Sequence, residues 1–279
     1  MTYGNPVVIQ NVRPKSGGEW TYSDLDRYFI SINYMDADTF FAPISAPPAS
    51  LIPSDFLTCL DVEDVIQGDE RAYTFIQYLD TAMSPPPGDE SAVNDFIVNL
   101  LLTLGFAPKG TMIRTKKNFP LRIGGEMRYA QADACILDGT NPLLLIQEDH
   151  SRVDPLTDPI PSLIAAAIAA FDVANGGKYG LCSYAPPTPI LGITLCGSWP
   201  TFFKIPIFPD FVDAVARDGF RSGVGVLHPT VEIAAYSPLV ARPLKKLEEG
   251  MKPLDNRFLI LSALMRFKHL MFHLSGKCQ

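Results

Sequence analysis

The segment from Ala132 to Ser151, ADACILDGTNPLLLIQEDHS, constrains the fold of this chain more than any other segment. Asp133 lies on one apolar run, and Glu148 ends the next, after a turn that contains Gly139 and Asn141. Two strands joined by such a turn would bring both carboxylates to one edge of a sheet. Clustered carboxylates suit Mg²⁺, which prefers oxygen ligands. The segment therefore predicts a strand pair that presents two acids to a divalent metal ion.

The composition is that of a packed globular protein. Hydrophobic residues make up 47% of the 279 residues and charged residues 19%, so a sizeable core is expected. The longest apolar run, 163–171, is too short to span a bilayer. The N-terminus lacks the basic start and apolar core of a signal peptide. We therefore expect an intracellular protein, in the cytoplasm or nucleus, with no membrane association. The five scattered cysteines contain no CxxC pair, which argues against structural zinc or a disulfide framework.

Hydrophobic periodicity after residue 88 predicts alternating helices and strands. A helix from residue 91 to 104 has apolar residues at i, i+3, i+4 and i+7 spacing, and an alanine-rich helix covers 161–174. The predicted strands are 111–116, 128–137, 142–148, 190–196 and 201–205. Two further helices are predicted at 209–217 and from 255 to about 273. This order favours an α/β fold with a mixed central sheet flanked by helices.

The chain before residue 88 differs from the rest in charge. Residues 1–108 carry 4 basic and 15 acidic residues, whereas residues 109–279 carry 19 basic and 15 acidic ones. Helices are predicted at 23–35 and 61–82, and the run from Pro85 to Gly88 ends the second. We predict an acidic N-terminal accessory region, 1–88, and a core domain, 89–279. The acidic region is a candidate surface for a protein partner.

A basic segment runs from residue 109 to 128 with a single acid, Glu126. A local basic patch can bind a phosphate backbone even when the whole protein is acidic. The candidate nucleic-acid contacts are Arg114, Lys116, Lys117, Arg122 and Arg128. A solvated hairpin surface is an equally good interpretation of the same charges.

Hydrolysis of a phosphodiester needs a metal to polarise the phosphate and activate water, and a cation to offset the charge of the transition state. Residues two apart on a strand share a face, so Glu148 and His150 would point together. Glu90, at the start of the first predicted core helix, is a further candidate ligand. A pair of acids at this spacing is also common on strands with no shared role, and that interpretation stays open.

These residues resemble the pattern of the PD-(D/E)XK superfamily, which has the restriction-endonuclease-like fold. The resemblance covers roughly residues 89–205. More narrowly, the chain resembles uncharacterised fungal proteins with a TDVCI…LLLVQEDK signature, an alanine-rich helix and a GMKPLDNR segment. Here these appear as ADACILDG…LLLIQEDHS, LIAAAIAAF and Gly250–Arg257.

The resemblance implies a restriction-endonuclease-like core and a nuclease that uses Mg²⁺ or Mn²⁺. It places the metal-binding acid on Asp133, the second acid on Glu148 with Gln147 before it, and a helical acid on Glu90. The superfamily's lysine falls on His150, a departure, because histidine is mostly neutral at neutral pH whereas lysine is a permanent cation. The alternative is a catalytically inactive nuclease fold that serves as a nucleic-acid- or protein-binding module.

Overall fold

The computed structural model describes residues 13–45, 52–65, 69–86, 91–148, 158–176, 189–217, 230–239 and 246–277. The helices within these ranges are α1 (Tyr22–Arg27), α2 (Ala37–Phe41), α3 (Glu70–Met83), α4 (Ala92–Thr103), α5 (Pro159–Ala174), α6 (Pro209–Ala216), α7 (Lys246–Glu249) and α8 (Leu254–Leu274). The strands are β1 (Ile30–Tyr34), β2 (Met112–Ile123), β3 (Glu126–Asp138), β4 (Asn141–Glu148), β5 (Ile190–Cys196), β6 (Trp199–Ile205) and β7 (Val231–Tyr236). Short 3₁₀ turns lie at Gly17–Glu19, Ser54–Leu57 and Val62–Asp64.

All these strands form one seven-stranded mixed sheet in the order β1-β7-β6-β5-β4-β3-β2. The pairs β1/β7 and β4/β5 are parallel, and the remaining neighbours are antiparallel. Helices α2, α3, α4 and α8 pack on one face, and α1, α5 and α6 pack on the other. The predicted α/β class, with a mixed sheet flanked by helices, is therefore confirmed. None of the described helices is both long and apolar enough to cross a membrane.

The strongest sequence patterns correspond to the helices and strands beside the site. The predicted apolar stripe of α4 is buried, as expected of a helix that packs through one face. Strand β4 is buried on both faces from Leu143 to Ile146, which explains its continuous apolar run. Five alanines of α5 are fully buried: Ala165, Ala166, Ala167, Ala169 and Ala170. Their small side chains let the helix lie close to β2, β3, β4 and β5.

Two predictions in the first third of the chain are wrong, and one strand was missed. The helix predicted at 23–35 divides into α1 and strand β1, with Phe29 at φ 55° between them. The helix predicted from residue 61 begins at Glu70, where Asp69 caps it by accepting from Ala72 N–H. Strand β7 was not predicted. Strand β1 pairs with β7, and β7 also pairs with β6. Local periodicity cannot reveal such pairing.

The described residues before 88 are built into the same sheet and core as the rest. Strand β1 pairs with β7, and α2 and α3 belong to the hydrophobic cluster that contains α4 and α8. The turn at Gly17 lies so close to β3 that a Cβ atom there would come within 2.5 Å of Ala130 Cβ. Glycine is therefore required at this point, and the turn is held against the sheet.

Arg257 explains much of the Gly250–Arg257 segment. Its side chain is fully buried, and its guanidinium donates to the carbonyls of Met251, Lys252, Phe56 and Cys59. The guanidinium also lies over the Phe75 ring, 5.6 Å from its centroid. One side chain thus ties the C-terminal segment to the N-terminal region, so this part of the signature has a structural role.

Candidate functional site

The β2–β3 hairpin places a lysine opposite the first candidate acid. Its register runs from Met112↔Leu137 to Ile123↔Glu126 around the Gly124-Gly125 turn, which sets Lys116 opposite Asp133. The ladder is interrupted at this pair, and Lys116 has φ 47°. A non-glycine residue in this region is uncommon and indicates a local distortion.

The distortion also changes which side of the sheet the strand residues face. Ala130 and Ala132 contribute to the cluster around α5, whereas Ala134 and Ile136 contribute to the cluster around α4. Strict alternation would put all four on one side. Asp133 lies at the point where the alternation breaks.

Asp133 is 3% exposed, and both its carboxylate oxygens accept hydrogen bonds. Lys116 Nζ donates to Oδ1 at 2.7 Å, Gln147 Nε2 donates to Oδ2 at 2.7 Å, and Glu148 N–H donates to the same Oδ2 at 2.9 Å. A buried carboxylate needs such donors to offset its loss of hydration. The strand pairing therefore brings the Asp133 carboxylate to the backbone N–H of Glu148.

Glu148 is also buried, with 8% exposure, and it faces helix α4. Asn94, on the first turn of α4, donates from Nδ2 to Glu148 Oε2 at 3.0 Å. Asn94 is itself 5% exposed. Helix α4 thus contributes a neutral amide to the acid pair and fixes one oxygen of Glu148.

Gln147 lies between the two acids and is incompletely paired. Its Nε2 is bonded to Asp133, whereas its Oε1 is buried and has no hydrogen-bond partner among the described residues. An unpaired buried acceptor costs about 1–3 kcal/mol. Gln147 Oε1 is therefore available to a donor or a cation that approaches the end of β4.

Two predicted site residues, Glu90 and His150, lie outside the described residues. Their positions relative to Asp133 and Glu148 stay predictions. Within the described part of the chain, no group of three or more His, Cys, Asp or Glu side chains is placed to hold a metal ion. Mg²⁺, however, often retains several waters and uses one or two protein carboxylates. The oxygens of Asp133, Glu148 and Gln147 fit that requirement in chemical type.

The basic residues of the hairpin have different surroundings. Arg122 forms a bidentate ion pair with Asp172 of α5, and Arg128 pairs with Glu126. Lys117 lies over the Phe119 ring, 5.4 Å from its centroid, and Arg114 is exposed. Edge strands often carry such charges to prevent pairing with other chains. The hairpin thus offers exposed positive charge mainly at Arg114 and Lys116, and Lys117 is half-buried.

A cleft of about 350 Å³ adjoins the acid pair. One wall is the segment 18–22, and the opposite wall is the start of α5, from Asp158 to Ser162. Gln147 and Glu148 line its end. Tyr22 Oη donates to Asp158 Oδ2 at 2.8 Å, which links the two walls. Its volume is within the usual range of small-ligand sites.

Lys116 and Asn94 are the residues whose roles sequence reasoning missed. Lys116 was predicted as a phosphate contact, without a place beside Asp133. Counting eight residues outward from each side of the Gly124-Gly125 turn pairs Lys116 with Asp133, so a two-residue hairpin turn carried the signal. Asn94 adjoins the apolar stripe of α4, and nothing in the helix pattern indicates its partner on β4.

No known protein-family model matches this chain, and no curated protein matches it either. A fold of this class hosts many unrelated functions. The function is therefore inferred from the geometry of the acid pair and the groups around it.

Proposed function

We propose that this protein is a nuclease-like hydrolase with a restriction-endonuclease-like core, which cleaves phosphodiester bonds with Mg²⁺ or Mn²⁺. The observation that carries the proposal is the contact between Asp133 Oδ2 and the backbone N–H of Glu148 at 2.9 Å. Burying two carboxylates on neighbouring strands costs folding free energy, because each carboxylate loses hydration. Two such acids on neighbouring strands, with a lysine beside one of them, offer the groups that hydrolysis of a phosphodiester requires.

Each group has a distinct task in this proposal. Asp133 and Glu148 would hold the divalent ion, which when bound polarises the phosphate and lowers the pKa of a bound water. Asn94 orients Glu148 through its amide. Lys116 is 55% exposed at its side chain, so it can remain near Asp133 and also reach a phosphate oxygen. It would supply the positive charge that the resemblance assigned to position 150.

The substrate would approach along the outer edge of the sheet. Strand β2 is the last strand in the sheet order, and it carries Arg114, Lys116 and Lys117. Positive side chains in a row along one edge can follow a phosphate backbone. The ion pairs of Arg122 and Arg128 indicate that those two residues chiefly stabilise the hairpin.

A cleavage assay on plasmid DNA and on single-stranded RNA, with Mg²⁺ or Mn²⁺, tests the proposal. Asp133→Asn and Glu148→Gln should each lower the rate on the order of 100-fold or more, as expected for loss of a group that stabilises transition-state charge. Asp138→Asn is the matched control, because Asp138 ends the same strand and pairs with Lys277. Equal rates in all four proteins would rule out the proposed site.

A catalytically inactive binding module is the second candidate. It is favoured by one observation: both oxygens of Asp133 are already satisfied by Lys116, Gln147 and the Glu148 N–H. Calorimetric titration with Mn²⁺ separates the candidates. Saturable binding that Glu148→Gln removes supports the enzyme, whereas nucleic-acid binding without any metal binding supports the module.

A further inference from the structure

Two residues that line the cleft, Trp20 and Gln147, each have a buried polar atom that no described residue pairs with. Trp20 is 3% exposed and lines the cleft, and its Nε1–H has no hydrogen-bond acceptor among the described residues. Gln147 lines the end of the cleft, and its Oε1 accepts from no donor among the described residues. Each such atom costs about 1–3 kcal/mol when it stays unpaired. Two of them on one cleft indicate a ligand that supplies both an acceptor and a donor.

The charges of the described lining residues disfavour a phosphate group as that ligand. Glu19, Glu148 and Asp158 are all among the lining residues, and no lysine or arginine is in the described lining. Carboxylates repel an anion and accept from N–H groups. The described lining therefore favours a group that has N–H donors and no negative charge.

The aromatic ring of Tyr22, in the wall of the cleft, narrows the chemical class of the ligand further. Tyr22 is 46% exposed, and its hydroxyl is fixed by Asp158. Burial and this hydrogen bond raise the pKa of Tyr22, so the phenol stays protonated. Its ring offers a face on which a flat heterocycle can stack. A nucleobase combines such a face with ring acceptors and N–H donors, and it fits a cleft of about 350 Å³.

We propose that this cleft binds an unpaired nucleobase of the substrate, next to the nucleotide whose phosphate lies at Asp133. This inference rests on the proposed nuclease function and names its substrate class as single-stranded or locally unpaired nucleic acid. Gln147 connects the two sites, because its Nε2 donates to Asp133 while its Oε1 has no donor among the described residues. A base in a paired and stacked helix cannot enter a cleft of this kind.

The test uses the full-length chain without metal and the neutral nucleosides adenosine, guanosine, cytidine and uridine, with ribose as the blank. Calorimetry should detect saturable binding of at least one nucleoside and none of ribose. Trp20→Phe, which removes the donor but keeps a ring, should weaken binding about tenfold, the usual effect of one hydrogen bond. Gln147→Met should also weaken binding about tenfold, and it leaves the packing around Trp20 unchanged.

Trp199→Phe is the matched control, because Trp199 is the other tryptophan and donates to Ser237. It should leave the affinity unchanged. The inference is overturned if no nucleoside binds at millimolar concentration, or if Trp20→Phe and Gln147→Met both bind as tightly as the parent protein. These measurements need no cleavage. Nucleoside binding without metal-dependent cleavage would refute the proposed function alone, and cleavage without nucleoside binding would refute this inference alone.

Discussion

Lys116 Nζ lies 2.7 Å from Asp133 Oδ1, across a hairpin whose ladder is interrupted at these two residues. The carboxylate is nearly buried, whereas the lysine side chain is 55% exposed. The cation can therefore leave the pair without unfolding the strand, and the acid cannot. This asymmetry leads to the first prediction.

Lys116→Met should change metal binding and catalysis in opposite directions. Removing a positive charge beside a ligand oxygen should tighten Mn²⁺ binding, by about threefold or more given the solvent screening of an exposed lysine. The same change should lower the cleavage rate, because the phosphate loses its cation. Calorimetry and the plasmid assay measure the two effects. Lys117→Met serves as the control, and a parallel fall in affinity and rate would contradict the assigned role.

Asn94→Leu should destabilise the protein by about 1–3 kcal/mol, since it leaves the buried Glu148 carboxylate without one of its donors. Urea unfolding at neutral pH gives this value. Asn118→Leu, at an exposed amide that pairs with Gln131, should change stability by about 0.5 kcal/mol or less. Similar losses of stability in both variants would contradict a specific contribution from the Asn94–Glu148 hydrogen bond.

Arg257→Met should be among the most destabilising single changes in the chain. The variant leaves buried carbonyls on two separate segments without a donor, and the expected loss is about 3 kcal/mol or more. Burial lowers the pKa of Arg257 to about 10, so the guanidinium remains charged at neutral pH. Arg217→Met removes the exposed ion pair between Arg217, which follows α6, and Asp213 of α6. This variant should leave the stability nearly unchanged. Thermal unfolding that ranks the two variants equally would refute this role.

Cys135 should make the protein sensitive to alkaline pH. Burial raises the pKa of its thiol from 9.0 to about 11. Because the pKa is higher in the folded than in the unfolded state, the protonated thiol contributes its full stabilisation below about pH 9. This stabilisation is lost as the pH rises towards about 11. Over that window the parent protein should lose about 2–3 kcal/mol more stability than Cys135→Ala. Urea unfolding of both proteins across the window measures the difference, and parallel curves would contradict it.

Local patterns were sufficient for the helices and strands that carry the acids. The stripe of α4, the apolar run of β4 and the alanines of α5 each follow from burial of one helix or strand against the sheet. The meeting of Asp133 and Glu148 could be predicted because a short turn joins their strands. The nuclease activity, its metal and the role of residue 150 stay predictions.

Contacts between residues far apart in the sequence account for the strand and the side-chain contacts that local patterns did not predict. Residues 30–34 have helix-compatible neighbours, yet they form β1 because β7 supplies backbone partners. The distortion at Lys116 and Asp133 breaks the alternation on which strand predictions rely. The role of Asn94 depends on its hydrogen bond to Glu148, which lies 54 positions later in the chain. Contacts of this kind depend on the assembled sheet and leave little trace in local sequence.

The parallel pairing of β1 with β7 has a consequence for biosynthesis. Ile30 is matched with Val231, so the first strand leaves the ribosome long before its partner exists. Until then its backbone groups remain unpaired, and an unpaired strand edge favours aggregation. Contacts of such large sequence separation also slow folding. We therefore expect the nascent chain to depend on chaperones until residue 236 has emerged, and C-terminal truncations before β7 to be insoluble when expressed.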